Sequence, residues 1–128
     1  MKIIKTDKAP EAVGAYSQAV MTGGTLYVSG QIPFEPKTMT VVEGGIREQT
    51  AQALDNVFSV VEAAGLSKED IVRCGVFMTD MSLFGEMNAV YAQKMGEHKP
   101  ARAAVEVRAL PKGVLVEIDA IAVGSDSD

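Results

Sequence analysis

Tryptophan is absent from this chain of 128 residues, cysteine and histidine occur once each, as Cys74 and His98, and aromatic residues make up only 5%. With one cysteine no intrachain disulfide can form. One Cys and one His cannot supply the clustered soft ligands of a structural zinc site, so a metal centre would have to be built from carboxylates alone. Neither a metal nor a cofactor is expected. Basic residues are also in deficit, 12 Lys and Arg against 17 Asp and Glu, for a net charge of −5. That sign opposes a surface built to neutralise phosphates and makes nucleic acid a poor default partner. No stretch approaches about eighteen uninterrupted apolar residues, and no long apolar segment follows the basic residues of Met1-Lys-Ile-Ile-Lys-Thr-Asp7. The expectation is a soluble, cytoplasmic protein. Phosphate loop, G-x-S-x-G elbow, H-E-x-x-H pair and dinucleotide fingerprint are all missing.

What is present suits one compact domain over residues 1–128, with 47% hydrophobic residues and a radius of gyration of roughly 14 Å. Only Gly124-Ser-Asp-Ser-Asp128 reads as a frayed acidic tail. Ile3 and Ile4 suit a short first strand, and the segments 18–21 and 25–29 form a hairpin about Thr22-Gly-Gly-Thr25. Prolines 33 and 36 and the pair Gly44-Gly45 mark a long connection that invites a functional explanation. From Ile46 to Ala64 the residues Ile46, Ala53, Leu54, Val57, Phe58, Val61 and Ala64 make an apolar helical stripe, closed by Gly65. A buried strand follows at 71–79. A second helix at 82–95 carries Leu83, Met87, Val90, Tyr91 and Met95 on one face and stops at Gly96.

Two alternating segments, 101–110 and 114–123, flank the turn Leu110-Pro-Lys-Gly113 and predict a terminal hairpin. The order is β-β-β-α-β-α-β-β, an α+β domain with two helices on one face of a mixed sheet. A chain this short has no further layer for the other face. An uncovered apolar face is a large exposed patch, and burial against further copies of the chain removes it, which predicts a homo-oligomer.

Ionisable residues stand inside strands otherwise suited to burial: Arg102, Glu106 and Arg108 on one, Glu117 and Asp119 on the other. Paired as a hairpin, these charges share a face. They suit either an exposed face with cross-strand ion pairs or a carboxylate-binding pocket. An arginine holds a carboxylate with a planar fork, and a nearby glutamate can orient a water and accept its proton. His98 lies just past a helix end, where a structural role with the helix dipole suffices, and Cys74 reads as a small buried hydrophobe. Tyr16-Ser17-Gln18 and Ser29-Gly30-Gln31 place polar groups beside glycine-marked backbone, as either turn chemistry or a ligand contact, and Gly30 permits close approach.

Taken in order, Gly14-Ala-Tyr-Ser-Gln18, Ser29-Gly-Gln-Ile-Pro33, Asp55-Asn56, Glu62-Ala-Ala-Gly65, Val76-Phe-Met-Thr-Asp80, Met87-Asn-Ala-Val-Tyr91, Lys99-Pro-Ala-Arg102, Val105-Glu-Val107, Leu110-Pro-Lys112 and Val116-Glu-Ile-Asp-Ala-Ile121 resemble the RidA (YjgF) family over nearly the whole chain. The resemblance implies a chorismate-mutase-like (YjgF-like) fold and a homotrimer with clefts between subunits. It also implies metal-free hydrolysis of 2-enamine and 2-imine acids, such as 2-iminobutanoate and 2-iminopropanoate, to 2-keto acids and ammonia. Arg102 then corresponds to the carboxylate-binding arginine and Glu117 to the acid that positions water. Tyr16, Ser29, Gly30 and Asn88 correspond to cleft residues, with Tyr16 assigned to the catalytic set. The chain departs from the family pattern at Ala104, two residues after the arginine, at Ala15, at Met39 and in the order Arg108-Ala109. An endoribonuclease or translation inhibitor, and a non-catalytic ligand-binding or chaperone-like trimer, are the alternatives.

Overall fold

The computed structural model describes residues 1–124; of the acidic tail read at 124–128, residues 125–128 lie outside the described residues. Gly124 is tied down, its N–H donating to Gly24 O at 2.9 Å. The strands are β1 (Lys2–Ile4), β2 (Ala19–Thr22), β3 (Thr25–Gln31), β4 (Phe34–Glu35), β5 (Thr40–Val41), β6 (Ile71–Met78), β7 (Ala101–Glu106) and β8 (Val116–Val123). The helices are α1 (Ile46–Ala63) and α2 (Phe84–Met95). Six strands form one mixed sheet in the order β1-β2-β3-β8-β6-β7, antiparallel throughout except for the parallel pair β6 and β7. The α+β class and the two helices over one face are as the sequence predicts.

The apolar stripe of α1, with Ala53, Leu54, Val57, Val60 and Val61 fully buried, packs on Leu26, Val28, Val76, Ile118 and Ala120 of the sheet. Met87, Tyr91 and Met95 of α2 complete the core. Each large side chain removed from water in this way contributes about 1.5–3 kcal/mol. Gly65 (φ 83°) and Gly96 (φ 69°) follow the two helices in the left-handed region that a side chain rarely adopts. The hairpin at Thr22–Thr25 forms as the sequence predicts.

The terminal hairpin does not form. β6 lies between β7 and β8, pairing with β7 through Cys74 and Arg102 and with β8 through Cys74 and Ala120. The physical reason is burial. β6 buries Ile71, Cys74, Val76 and Met78 and needs a partner on each side, whereas β7 has no buried residue and tolerates the edge. The helical crossover through α2 makes β6 and β7 parallel neighbours. Residues 107–115, including a 3₁₀ turn with Lys112 at φ 60°, then carry the chain back to the middle of the sheet.

A second difference concerns the long connection after β3. It contains the small hairpin β4–β5, and buried Asn56 of α1 holds it by donating from Nδ2 to Ile32 O and Phe34 O, both at 3.0 Å. The sheet face away from the helices carries Ile3, Val20, Tyr27 and Ile121 in register across four strands. Ile3, Tyr27, Val105 and Val123 remain exposed, so much of the face is apolar and is left uncovered by the described residues.

Candidate functional site

Register fixes which side each charged residue occupies. On β8, Val116, Ile118 and Ala120 point to the helices, so Glu117 and Asp119 stand on the open face. On β7, Arg102 pairs with buried Cys74 and Glu106 with buried Met78, so both stand on the helix side. The sharing of one face that the sequence suggested therefore fails, because it depended on the missing hairpin. None of Arg102, Glu106, Arg108, Glu117 and Asp119 makes an ion pair among the described residues; the pairs present are Arg47 with Glu86 and Lys94 with Asp55.

The open face gathers one group of candidates. The β3–β8 register slips between Val28 and Gln31, a bulge centred on Ser29 and Gly30. The Glu117 carboxyl lies over Gly30, in the space that a Cβ at position 30 would fill. Burial pushes the Glu117 carboxyl up from its ordinary value, and the neighbouring Asp119 charge adds to the rise. Asp119 is fixed in turn, with Oδ1 accepting from the Gly75 N–H at 2.9 Å. Position 75 repeats the device, since a Cβ there would stand 2.5 Å from Asp119 Oδ1.

Ser29 Oγ donates to Ser17 O at 2.6 Å, so it braces the segment bearing Tyr16. Buried Gln18 secures the same segment from the other side, donating from Nε2 to Thr6 O and Pro10 O and accepting from Thr6 N–H. Tyr16 itself is 54% exposed. With Ser17 it lines an open groove of about 800 Å³ together with Lys5, Asp7, Glu11 and Lys37. Arg102, Asn88 and Glu117 do not line this groove.

The second group lies at the sheet edge on the helix side. Arg102 Nη1 donates to Asn88 Oδ1 at 2.7 Å, and the guanidinium carbon stands 4.8 Å from the Tyr91 ring centre and 5.5 Å from that of Phe84. The sequence signals neither Phe84 nor this role of Tyr91, which it places only on the apolar face of the second helix. The spacing Phe84-x-x-x-Asn88-x-x-Tyr91 sets all three on one helix face, a signal that becomes readable once α2 is known to lie beside β7.

His98 donates a ring N–H to Ile71 O at 2.7 Å, a structural contact that joins the end of α2 to the start of β6. Cys74 is fully buried, and burial pushes its thiol up from the ordinary value. Among the described residues no three His, Cys, Asp or Glu side chains cluster as metal ligands, and no helix is long and apolar enough to cross a membrane.

The fold and these residues define a small α+β protein with two groups of candidate residues, one presenting a guanidinium and the other a carboxyl group. Residues 6–124 match the sequence model of the family described as Endoribonuclease L-PSP. A RutC family protein of Pyrococcus horikoshii is 50% identical over 121 residues, covering 94% of this chain and 96% of its own. A rat protein named 2-iminobutanoate/2-iminopropanoate deaminase is 47% identical over 122 residues, covering 95% of this chain and 89% of its own. The crystal structure of Escherichia coli TdcF with bound serine superposes with a TM-score of 0.94 at 44% identity, covering 98% of this chain and all of that one. The chain belongs to the RidA (YjgF) family.

Proposed function

We propose that the protein is a cytoplasmic, metal-free 2-iminobutanoate/2-iminopropanoate deaminase that works as a homotrimer, with each site shared between two copies. The observation that carries the reading is the Glu117 carboxyl, half-buried over Gly30 and raised in proton affinity. A carboxyl group so placed is suited to taking and returning a proton.

Arg102 binds the substrate carboxylate, and its contact with Asn88 fixes one side of the fork. Glu117 accepts a proton from a water whose oxygen adds to C2 of the imine. Glu117 passes that proton to the imine nitrogen, giving a tetrahedral carbinolamine in the cleft lined by Tyr16, Ser29 and Gly30, where Tyr16 donates a hydrogen bond. In the collapse Glu117 takes the carbinolamine hydroxyl proton and delivers it to the amine, so that the C2 carbonyl forms, ammonia leaves and Glu117 returns to its starting state. The reactants, imino acid and water, balance the products, 2-keto acid and ammonia. The imine is already electrophilic, so positioning and proton transfer suffice.

The placement of the two groups supports sharing between copies. Arg102 and Glu117 stand on opposite faces of the sheet, on strands two spacings or about 10 Å apart, with β6 between them and their positions offset along it, Arg102 level with Cys74 and Glu117 with Phe77. The exposed edge of β7 and the uncovered apolar face give a second copy the surfaces on which to unite them.

The test is ammonia and keto-acid formation from imines generated by an amino-acid oxidase, measured with and without the protein. Faster decay of the imine, lost in Arg102→Ala, is expected; decay at the buffer rate sinks the deaminase and leaves a ligand-binding or chaperone-like trimer. The family's description favours a second reading, an endoribonuclease, against which the net charge of −5 stands. RNA cleavage that survives purification and disappears in Arg102→Ala would revive it.

A further inference from the structure

Arg102 extends from an edge strand that lacks a buried residue, so little in β7 itself restrains its long side chain. The restraint comes from α2. Phe84, Asn88 and Tyr91 occupy positions i, i+4 and i+7 of that helix and converge on the guanidinium. Asn88 takes one Nη1 proton, while the two rings stand at 4.8 and 5.5 Å from the guanidinium carbon, within the range of a cation–π contact. The Arg102 side chain makes no other hydrogen bond among the described residues.

We propose that Phe84 and Tyr91 are positioning residues that hold the Arg102 guanidinium in a fixed orientation, leaving the edge away from Asn88 to receive the carboxylate of an α-imino or α-keto acid. This inference rests on the carboxylate-binding role of Arg102 given above. An arginine free to rotate loses much of its advantage over lysine, because a bidentate contact needs the fork presented in one plane. The single bond to Asn88 sets a direction but leaves rotation about it. Rings beside the cation remove that freedom before the ligand arrives, which is preorganisation in the ordinary sense.

Position 91 contributes its ring rather than its hydroxyl. Tyr91 is 6% exposed, and its hydroxyl makes no hydrogen bond by geometry, although the Cys74 thiol lies beside it. A buried hydroxyl without a partner costs stability, so removing it while keeping the ring leaves the clamp intact. Phe84 is only partly buried at the start of α2, so its replacement tests the clamp without opening the core.

The experiment measures 2-oxobutanoate binding by calorimetry and the Arg102 side-chain nitrogen signals by NMR, in the wild type, Tyr91→Leu, Tyr91→Phe and Phe84→Leu. Phe84→Leu and Tyr91→Leu are each expected to weaken binding about fivefold and to merge the separate Nη signals of a held guanidinium into an averaged one. Tyr91→Phe is expected to restore both readouts. In turnover assays the leucine variants raise KM with little change in kcat, since the clamp acts on carboxylate binding rather than on the water. Wild-type Kd and Arg102 signals in Phe84→Leu overturn the proposal even if Tyr91→Leu does not fold, and so does a loss in Tyr91→Phe equal to that in Tyr91→Leu. No 2-oxobutanoate binding by the wild type overturns both the clamp and the role of Arg102. Binding with the expected variant pattern but without imine turnover removes the deaminase and leaves the clamp standing.

Discussion

The carboxyl group of Glu117 occupies the space that a side chain at position 30 would fill. The glycine is therefore needed for what it lacks, since it leaves room for the carboxyl group of the neighbouring strand, which is proposed to carry the proton transfer. In Gly30→Ala the new methyl meets the far end of a flexible glutamate, which can swing aside, so the protein is expected to fold with a melting temperature near that of the wild type. Deaminase kcat is expected to fall by about a hundredfold or more, the scale lost when a general acid–base is misplaced. Near-wild-type kcat in Gly30→Ala would show that the placement of Glu117 does not matter to the reaction.

Asp119 sits beside Glu117 on the open face, held by the Gly75 N–H, and its charge helps to raise the Glu117 carboxyl. Asparagine keeps the Oδ1 acceptor and removes the charge. In Asp119→Asn the Glu117 value falls, so the acid limb of the pH–rate profile moves to lower pH. It stops short of an ordinary exposed carboxyl because burial, the larger cause, remains. An unmoved acid limb would remove Asp119 from the tuning of Glu117.

The same residue affects stability with the opposite sign from a salt-bridged carboxylate. A carboxyl whose folded value is raised binds its proton more tightly in the folded chain, so its ionisation at higher pH costs stability. Glu117→Gln is expected to raise Tm near pH 7–8. The gain shrinks as pH falls through the raised folded value and disappears below the ordinary value of 4.5, where both states are protonated. Thermal melts of both proteins across that range decide the matter, and a Tm gain that stayed constant with pH would point to packing instead.

Much of this architecture was legible in the sequence. The stripes from Ile46 to Ala64 and from Leu83 to Met95, each ended by a glycine, became α1 and α2, and Thr22-Gly-Gly-Thr25 became a hairpin turn. Arg102 and Glu117 stood out because charges interrupt strands. Their relation was misjudged for a physical reason. Alternation identifies strands but carries no information about which strands are neighbours, and β7 and β8 look like a hairpin to any local rule. Their separation is decided by β6, whose fully apolar inner face must be flanked on both sides, a long-range demand that local pattern does not express. The role of Tyr91 escaped for the same reason, since it depends on α2 lying over the edge strand.

Gln18 offers a separate test of the segment that carries Tyr16. Its side chain is 4% exposed and joins Thr6 and Pro10 to the start of β2, on the opposite side of the segment from the Ser29 Oγ bond to Ser17 O. Gln18→Ala leaves these buried backbone groups without partners and is expected to cost about 2–3 kcal/mol of stability. Activity is expected to fall further than the folded fraction explains, because Tyr16 is released with the segment. Denaturant titration with kcat measured on the folded protein separates the two effects; a stability loss with unchanged kcat would confine Gln18 to scaffolding.

The proposed division of the site between copies has the most direct consequence. Arg102→Ala and Glu117→Gln are each expected to be inactive, because every site then lacks one of its two groups. If each site takes its arginine from one copy and its glutamate from the next, unfolding an equal mixture of the two inactive proteins and refolding them together creates intact sites. Random assembly into a closed ring gives both native groups at about one site in four, so the mixture is expected to recover about a quarter of wild-type activity. If instead both groups of a site came from the same chain, every chain in the mixture would still lack one of them, and no mixing ratio would restore turnover. Recovery at about the expected fraction, with each parent inactive after the same treatment, distinguishes a shared cleft from one closed within a single chain.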